Sequence, residues 1–299
     1  MKILAVLAIF GCFVACTAQS SVAEVEKDIY FIAHLPNGKR FNIPFGNSEA
    51  YDILVKECPP ESTELSIIVH GWTESYEKTE WVPDFMSNLT EARKGCHLFM
   101  DYSKFAAADY AKLVENFKYI MPAFVNQLKI LFDDIGYDGK KAFIFGFSYG
   151  AHVAVQGAYS FGMRRIGRID VCDPAGPSFP GDIDLALKFA LAADIVQCIH
   201  TSCDKGTHQR YCPISWNMGY CGHSQDAATV PPRLSHGLCP YFYTSAFKND
   251  FKVVPKRDVC VSTKPGSWKK GFVMGYRMNL SLGGIGEFYA ETSRNPTYT

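Results

Sequence analysis

Ala142-Phe143-Ile144-Phe145-Gly146-Phe147-Ser148-Tyr149-Gly150 is the stretch around which the rest of the chain organises. A continuous apolar run of this length suits a strand buried on both faces of a parallel sheet. The following Gly-x-Ser-x-Gly predicts a sharp reversal into a helix, because a serine held on a strained strand-to-helix turn leaves no room for side chains beside it. The helix is expected from Tyr149 to about Phe161. A five-residue pattern alone is weak, and the strand, turn and helix around it are what give it meaning.

Working outward, further apolar runs predict strands at residues 29–34, 66–69, 97–100, 166–172 and 195–200. Leu113, Phe117, Ile120, Phe124, Leu128 and Leu131 recur at helical spacing and predict a crossover helix with Pro122 a candidate kink. Alternating strands and helices imply an α/β fold with a mostly parallel central sheet and helices on both faces. Ligand sites of such sheets lie beyond the carboxyl ends of the strands. Ser148 stands at such an end.

A serine hydroxyl needs a base to take its proton and a third group to orient that base. Asp173, in Ile169-Asp170-Val171-Cys172-Asp173-Pro174-Ala175-Gly176-Pro177, sits where a strand runs into a proline turn, a place for a triad acid and equally for an Asx turn. Asp170 is the competitor, and inside the strand its carboxylate is expected to lack a partner. Of eight histidines, His236 and His223 both follow the acid, as the order Ser, Asp, His requires.

Composition bounds the function. Of 299 residues, 47% are hydrophobic, 14% aromatic and 20% charged, which excludes a disordered or fibrous chain. Thirty basic residues balance thirty acidic ones, so no excess of cations is available to hold a nucleic acid. Lys2 followed by an apolar run to Cys16 and the small residues up to Ala18 outlines a signal peptide over residues 1–18, with residues 19–299 as one domain. Export is therefore expected. Eleven cysteines, two of them in the leader, leave nine, which suits an oxidising compartment and predicts disulfides with one thiol left over. Asn88-Leu89-Thr90 and Asn279-Leu280-Ser281 are glycosylation sequons.

Four separated blocks, GFSYGAHVA at residues 146–154, CDPAGPSF at 172–179, VQCIHT at 196–201 and SHGLCPYFYTSAF at 235–247, resemble the secreted lipase superfamily that includes pancreatic lipases, insect phospholipases A1 and fly yolk proteins. The similarity runs from about Asp28 to Tyr298, with the closing GEFYAETSRNPTY like that family's last strand and tail. The resemblance implies the α/β-hydrolase fold, with Ser148 as nucleophile, Asp173 as acid and His236 as base. It puts the backbone N–H groups of Trp72 and Tyr149 in the oxyanion hole and His223 in a lid loop. His70, in the His70-Gly71-Trp72 block that carries Trp72, and His152, in the first block, are read as buried hydrogen-bonding partners. Neither a metal nor an organic cofactor is required by such chemistry. The implied partner is a lipid substrate at a membrane or lipoprotein surface, with phospholipase A1 activity favoured. Triacylglycerol hydrolysis and a yolk-protein-like storage role are the alternatives.

The elbow departs from the family pattern, since Phe147 and Tyr149 flank the serine where His and Leu are more usual. Tyr149 is expected to narrow the acyl pocket. Pancreatic lipases continue into a β-sandwich domain that this sequence lacks, so colipase partnering is not implied. Resemblance and local loop closure together predict Cys58 with Cys96, Cys203 with Cys212 and Cys221 with Cys239, leaving Cys172 as a thiol.

Overall fold

Each strand of the central sheet sends alternate side chains to opposite faces, and both faces are apolar. Leu65, Ile67 and Val69 enter one core while Ile68 enters the other, and Ile144 is likewise separated from Phe143, Phe145 and Phe147. The computed structural model describes residues 22–229 and 234–299. The signal-peptide reading of residues 1–18 lies outside them.

Ten strands form one sheet: β1 (Tyr30–His34), β2 (Arg40–Pro44), β3 (Leu65–Val69), β4 (Cys96–Asp101), β5 (Phe143–Phe147), β6 (Ile166–Cys172), β7 (Ala193–His200), β8 (Ile214–Met218), β9 (Val253–Val254) and β10 (Gly286–Ala290). Their order is β2-β1-β4-β3-β5-β6-β7-β8-β10-β9. The seven from β4 to β10 in that order run parallel, with β2 and β1 antiparallel at one edge and β9 at the other. The strand expected at residues 29–34 is thus antiparallel to its neighbours. Strand β2 is left at that edge, where its shortness, five residues, limits pairing with another chain.

Helices α1 (Ser48–Glu57), α2 (Val82–Ala92), α3 (Tyr110–Lys129), α4 (Tyr149–Phe161), α5 (Ile183–Leu191) and α6 (Cys239–Ala246) cover the sheet. The first, third, fourth and fifth bury their apolar residues in one core, and α2 and α6 in the other. Asn47 caps α1 and Asp182 caps α5, each accepting a backbone N–H of the first turn. Helix α3 continues through Pro122 and ends in a π-helical turn, Ile130–Asp134. Phe145 lies between Phe85 of α2 and Tyr243 of α6, with ring centroids 4.5 and 4.8 Å away. Burial of such a ring stabilises by about 2–3 kcal/mol.

Four disulfides join Cys58 to Cys96, Cys172 to Cys239, Cys198 to Cys212 and Cys221 to Cys260, and Cys203 is free and exposed. Only the first expected pairing stands. Cys203 and Cys212 are not paired, Cys221 reaches Cys260 instead of Cys239, and Cys172 is no thiol. Local loop closure favours partners near in sequence, whereas β6 and α6 bring together residues 67 apart. Asn279 lies in an exposed turn, while Asn88 is part-buried in α2 with its amide bonded to the Thr244 carbonyl. Among the described residues no helix is long and apolar enough to cross a membrane.

Candidate active site

Ser148 stands between β5 and α4 with φ 56° and ψ −120°, a conformation that costs a non-glycine residue about 1–3 kcal/mol. The two glycines explain how the turn closes. A Cβ on Gly146 would meet the Gly150 carbonyl at 2.7 Å, and one on Gly150 would meet the His70 carbonyl at 2.2 Å. Ser148 is thereby pressed against the end of β3, its backbone N–H bonded to the Cys172 carbonyl at 3.0 Å.

Asp173 follows β6 directly and is fully buried. Its Oδ1 accepts the backbone N–H groups of Thr201 and Ser202 at 2.8 and 3.2 Å. Oδ2 accepts the Ser202 hydroxyl at 2.5 Å and His236 Nδ1 at 2.7 Å. A carboxylate can only accept, so the His236 proton sits on Nδ1 and leaves Nε2 to face the Ser148 hydroxyl, 2.8 Å away. The three residues expected from the sequence therefore meet in one hydrogen-bonded chain. Ser202 carried no sequence signal beyond its place after a buried strand. Its hydroxyl supports Asp173 and in turn accepts the Gly206 N–H at 2.9 Å.

The alternatives lie elsewhere. His223 is exposed and its ring faces His208, 5.9 Å between centroids. Asp170 does not lack a partner: Arg168, two residues back on the same face of β6, donates to both its oxygens at 2.9 and 2.7 Å, and Tyr243 adds its hydroxyl. That carboxylate is structural.

His70 and His152 are buried and hydrogen-bonded, as expected. His152 Nε2 donates to the Ala175 carbonyl at 2.8 Å, and its ring stacks on Phe179 at 3.7 Å. His70 Nδ1 donates to the Gly71 carbonyl at 2.8 Å and Nε2 accepts the Tyr102 N–H at 3.3 Å. Burial pushes the His70 pKa down to about 4, with Asp101 and the Gly71 bond opposing, which keeps the ring neutral. In a trans peptide the carbonyl and the next N–H point oppositely, so His70 turns the Trp72 N–H away from itself. The flanking amides are engaged, Gly71 with Glu74 at 2.7 Å and Thr73 with the Ala106 carbonyl at 3.0 Å.

A cleft of about 650 Å³ opens over Ser148 and His236, with Trp72, Trp81, Tyr110, Phe147 and Tyr241 in its wall. Tyr149 does not narrow it. Its ring is buried against Phe117, and its hydroxyl donates to the Leu113 carbonyl at 3.1 Å. Phe147 is the elbow residue that faces the cleft, 5.0 Å from the His236 ring. Among the described residues no three His, Cys, Asp or Glu side chains converge as a metal site.

Seven parallel strands, a serine elbow after β5 and the chain order Ser148, Asp173, His236 define the α/β-hydrolase fold. Within it the chain belongs to the Lipase family, whose model matches residues 53–221, more than half of the sequence. It is 29% identical over 160 residues to mouse pancreatic triacylglycerol lipase, covering 53% of this chain and 32% of that protein. It is 30% identical over 152 residues to rat hepatic triacylglycerol lipase (49% and 31% covered) and 29% over 135 residues to human inactive pancreatic lipase-related protein 1 (45% and 28%). The chain spans about a third of the length of these relatives. Among solved structures, an esterase of Pyrococcus furiosus is similar at 16% identity and a TM-score of 0.35, over 48% of this chain and 63% of that one.

Proposed function

We propose that this member of the Lipase family is a secreted serine hydrolase of lipid esters, and that its favoured activity is phospholipase A1. The observation that carries the hydrolase reading is the bonded chain from Asp173 through His236 to Ser148 at the floor of an apolar cleft. In that reading Ser148 Oγ attacks the ester carbonyl while His236 Nε2 takes its proton, and Asp173 holds the resulting imidazolium. The Trp72 and Tyr149 N–H groups receive the oxyanion, where one such donor supplies roughly 3–4 kcal/mol. His236 then returns the proton to the departing glycerol oxygen, and water, activated by the same ring, cleaves the acyl-Ser148 ester. The four disulfides support an oxidising, extracytoplasmic destination.

Two features support phospholipid over neutral lipid. Only 14 residues, Gly222 to Ser235, separate Cys221 from His236, so the segment that the resemblance puts in the lid position is short, as suits a substrate with a polar head group. Lys78 and Lys205 also stand on the cleft wall, where a phosphodiester would find cations, although Glu74 and Glu80 share it. The names of the relatives favour the second reading, triacylglycerol hydrolysis. Purified protein given phosphatidylcholine and triacylglycerol at matched interfaces separates them, with sn-1 fatty acid and a 2-acyl lysophospholipid expected. Preference for triacylglycerol, or release from sn-2, would overturn the phospholipase assignment. A fluorophosphonate should label the wild type and not Ser148→Ala. A wild type that takes no label and cleaves no ester would leave the storage role.

A further inference from the structure

Glu74 lies in the cleft wall, three residues after Gly71, and its side chain folds back onto the loop that carries it. Oε2 accepts the Gly71 N–H at 2.7 Å, and Oε1 accepts the Trp81 indole N–H at 2.7 Å. The point where a Gly71 Cβ would stand is 3.2 Å from Glu74 Oε2 and 3.1 Å from Ser148 Cβ, so the carboxylate closes one side of the nucleophile's surroundings. The Gly71–Trp72 segment is held from both directions, by Glu74 at the Gly71 N–H and by His70 at the Gly71 carbonyl.

We propose that Glu74 is a positioning residue for the hydrolysis assigned above: its ionised carboxylate clamps the Gly71–Trp72 turn, fixing the Trp72 amide over Ser148, and offsets the charge that develops on His236. The inference rests on the hydrolase reading for its catalytic consequence and on geometry for the clamp. Two N–H donors converge on two oxygens, a pattern that only an acceptor-only group satisfies in full. A proton on either oxygen weakens one of the two bonds. Burial pushes the Glu74 carboxyl up to about 7, opposed by the Trp81 and Gly71 hydrogen bonds and by His236. The other titratable and charged groups facing it are the Tyr102 phenol, Lys78 and Glu80 on its own loop, and Lys205 across the cleft. Release of the clamp therefore falls near neutral pH.

The test uses a soluble ester, p-nitrophenyl butyrate, so that lipid binding does not intervene. With release of the clamp costing about tenfold, log kcat/KM of the wild type should show an extra step of about one log unit centred near pH 7, on top of the acid limb set by its base. Glu74→Gln should lack that step and lose about tenfold at high pH, because glutamine opposes one donor with its own N–H, so that its profile approaches the wild type's below the step. Glu74→Gln/Trp81→Phe removes that opposed donor and should regain high-pH activity without regaining the step. A uniform loss with the step retained would overturn the proposal. The Trp81 indole N–H, assigned in 1H–15N spectra by Trp81→Phe, gives a readout independent of catalysis. It should titrate with a midpoint near 7 in the wild type and stay flat in Glu74→Gln. A wild-type signal that stays flat from pH 5 to 9 also overturns the clamp, whereas a titrating signal in a protein that cleaves no ester supports the clamp and sinks the hydrolase reading instead.

Discussion

The Asp173 carboxylate is held by four donors, and the backbone beside it leaves no slack. A Cβ at Gly206 would stand 2.5 Å from Asp173 Oδ2 and 2.6 Å from Oδ1. The Gly206 N–H also anchors the Ser202 hydroxyl that supports the same carboxylate. Gly206→Ala should therefore push Asp173 off His236 while costing only about 1–3 kcal/mol of stability, the usual range for an inserted methyl. A displacement of about 1 Å at a catalytic group costs on the order of 100-fold in rate. The labelling rate with a fluorophosphonate and a thermal melt on the same preparation measure the two effects. Labelling at the wild-type rate would show that the loop yields instead of the acid. His223→Ala, at an exposed ring facing His208, is the control and should label normally; loss there with retention in His236→Ala would reassign the base.

At the scale of elements, the disulfide from Cys172 to Cys239 ties the end of β6 to the start of α6. Asp173 follows the first cysteine and His236 precedes the second by three residues, so this bond holds these two hydrogen-bonded residues together. Cys172→Ala/Cys239→Ala should lose about 2–5 kcal/mol in urea denaturation. Its labelling should fall more than in Cys58→Ala/Cys96→Ala, whose bond lies far from the cleft; equal labelling in the two variants would count against that coupling. This pairing also marks where sequence reasoning stopped. Apolar runs located β3 to β7 because strands buried on both faces are mostly apolar, with Ser66, His97, Asp170 and Gln197 too few to break the pattern. The elbow and the order of Ser148, Asp173 and His236 were legible because backbone strain and proton transfer restrict which residues can stand there. Strand β8, Ile214-Ser215-Trp216-Asn217-Met218, was not: it is wholly buried, yet alternates in polarity, with Ser215 and Asn217 satisfied by the Cys212 and Phe288 carbonyls. Asp170 misled for the same reason, since its partner Arg168 is two residues away on a strand face. Glu74 and Ser202 belong to no motif, and their places arise only from how loops after different strands meet.

Over the whole molecule, the buried histidines predict how the fold responds to acid. Burial pushes His70, His97 and His152 down to about 4; Asp101 and the Gly71 bond oppose it at His70, the Ala175 bond opposes it at His152, and Arg93 adds to it at His97. An unfolded histidine titrates near 6.5. Between those values the unfolded chain binds more protons than the folded one, so stability rises with pH across the window. The contribution is complete above about 6.5 and is lost as pH falls toward 4, at about 3 kcal/mol for each ring. Glu74, raised to about 7, acts with the opposite sign, since its shift favours the fold below the unfolded carboxyl value and that contribution disappears as pH rises through 7. Burial lowers His34 to about 4 and His200 as well, so one group stands against five and acidification leaves a net loss. Because a domain of ordinary stability has about 5–15 kcal/mol in hand, the net of these losses over the Glu74 gain brings it close to unfolding near pH 4. Urea midpoints should stay level from pH 8 to about 6.5 and then fall steadily toward pH 4.5. His97, on β4 opposite His34 of β1 and remote from Ser148, isolates the cause: His97→Leu should flatten the acid slope by the equivalent of one proton without changing labelling of Ser148 at pH 8. A midpoint that holds constant to pH 4.5 in the wild type would mean that these rings are not the neutral, buried groups the packing requires.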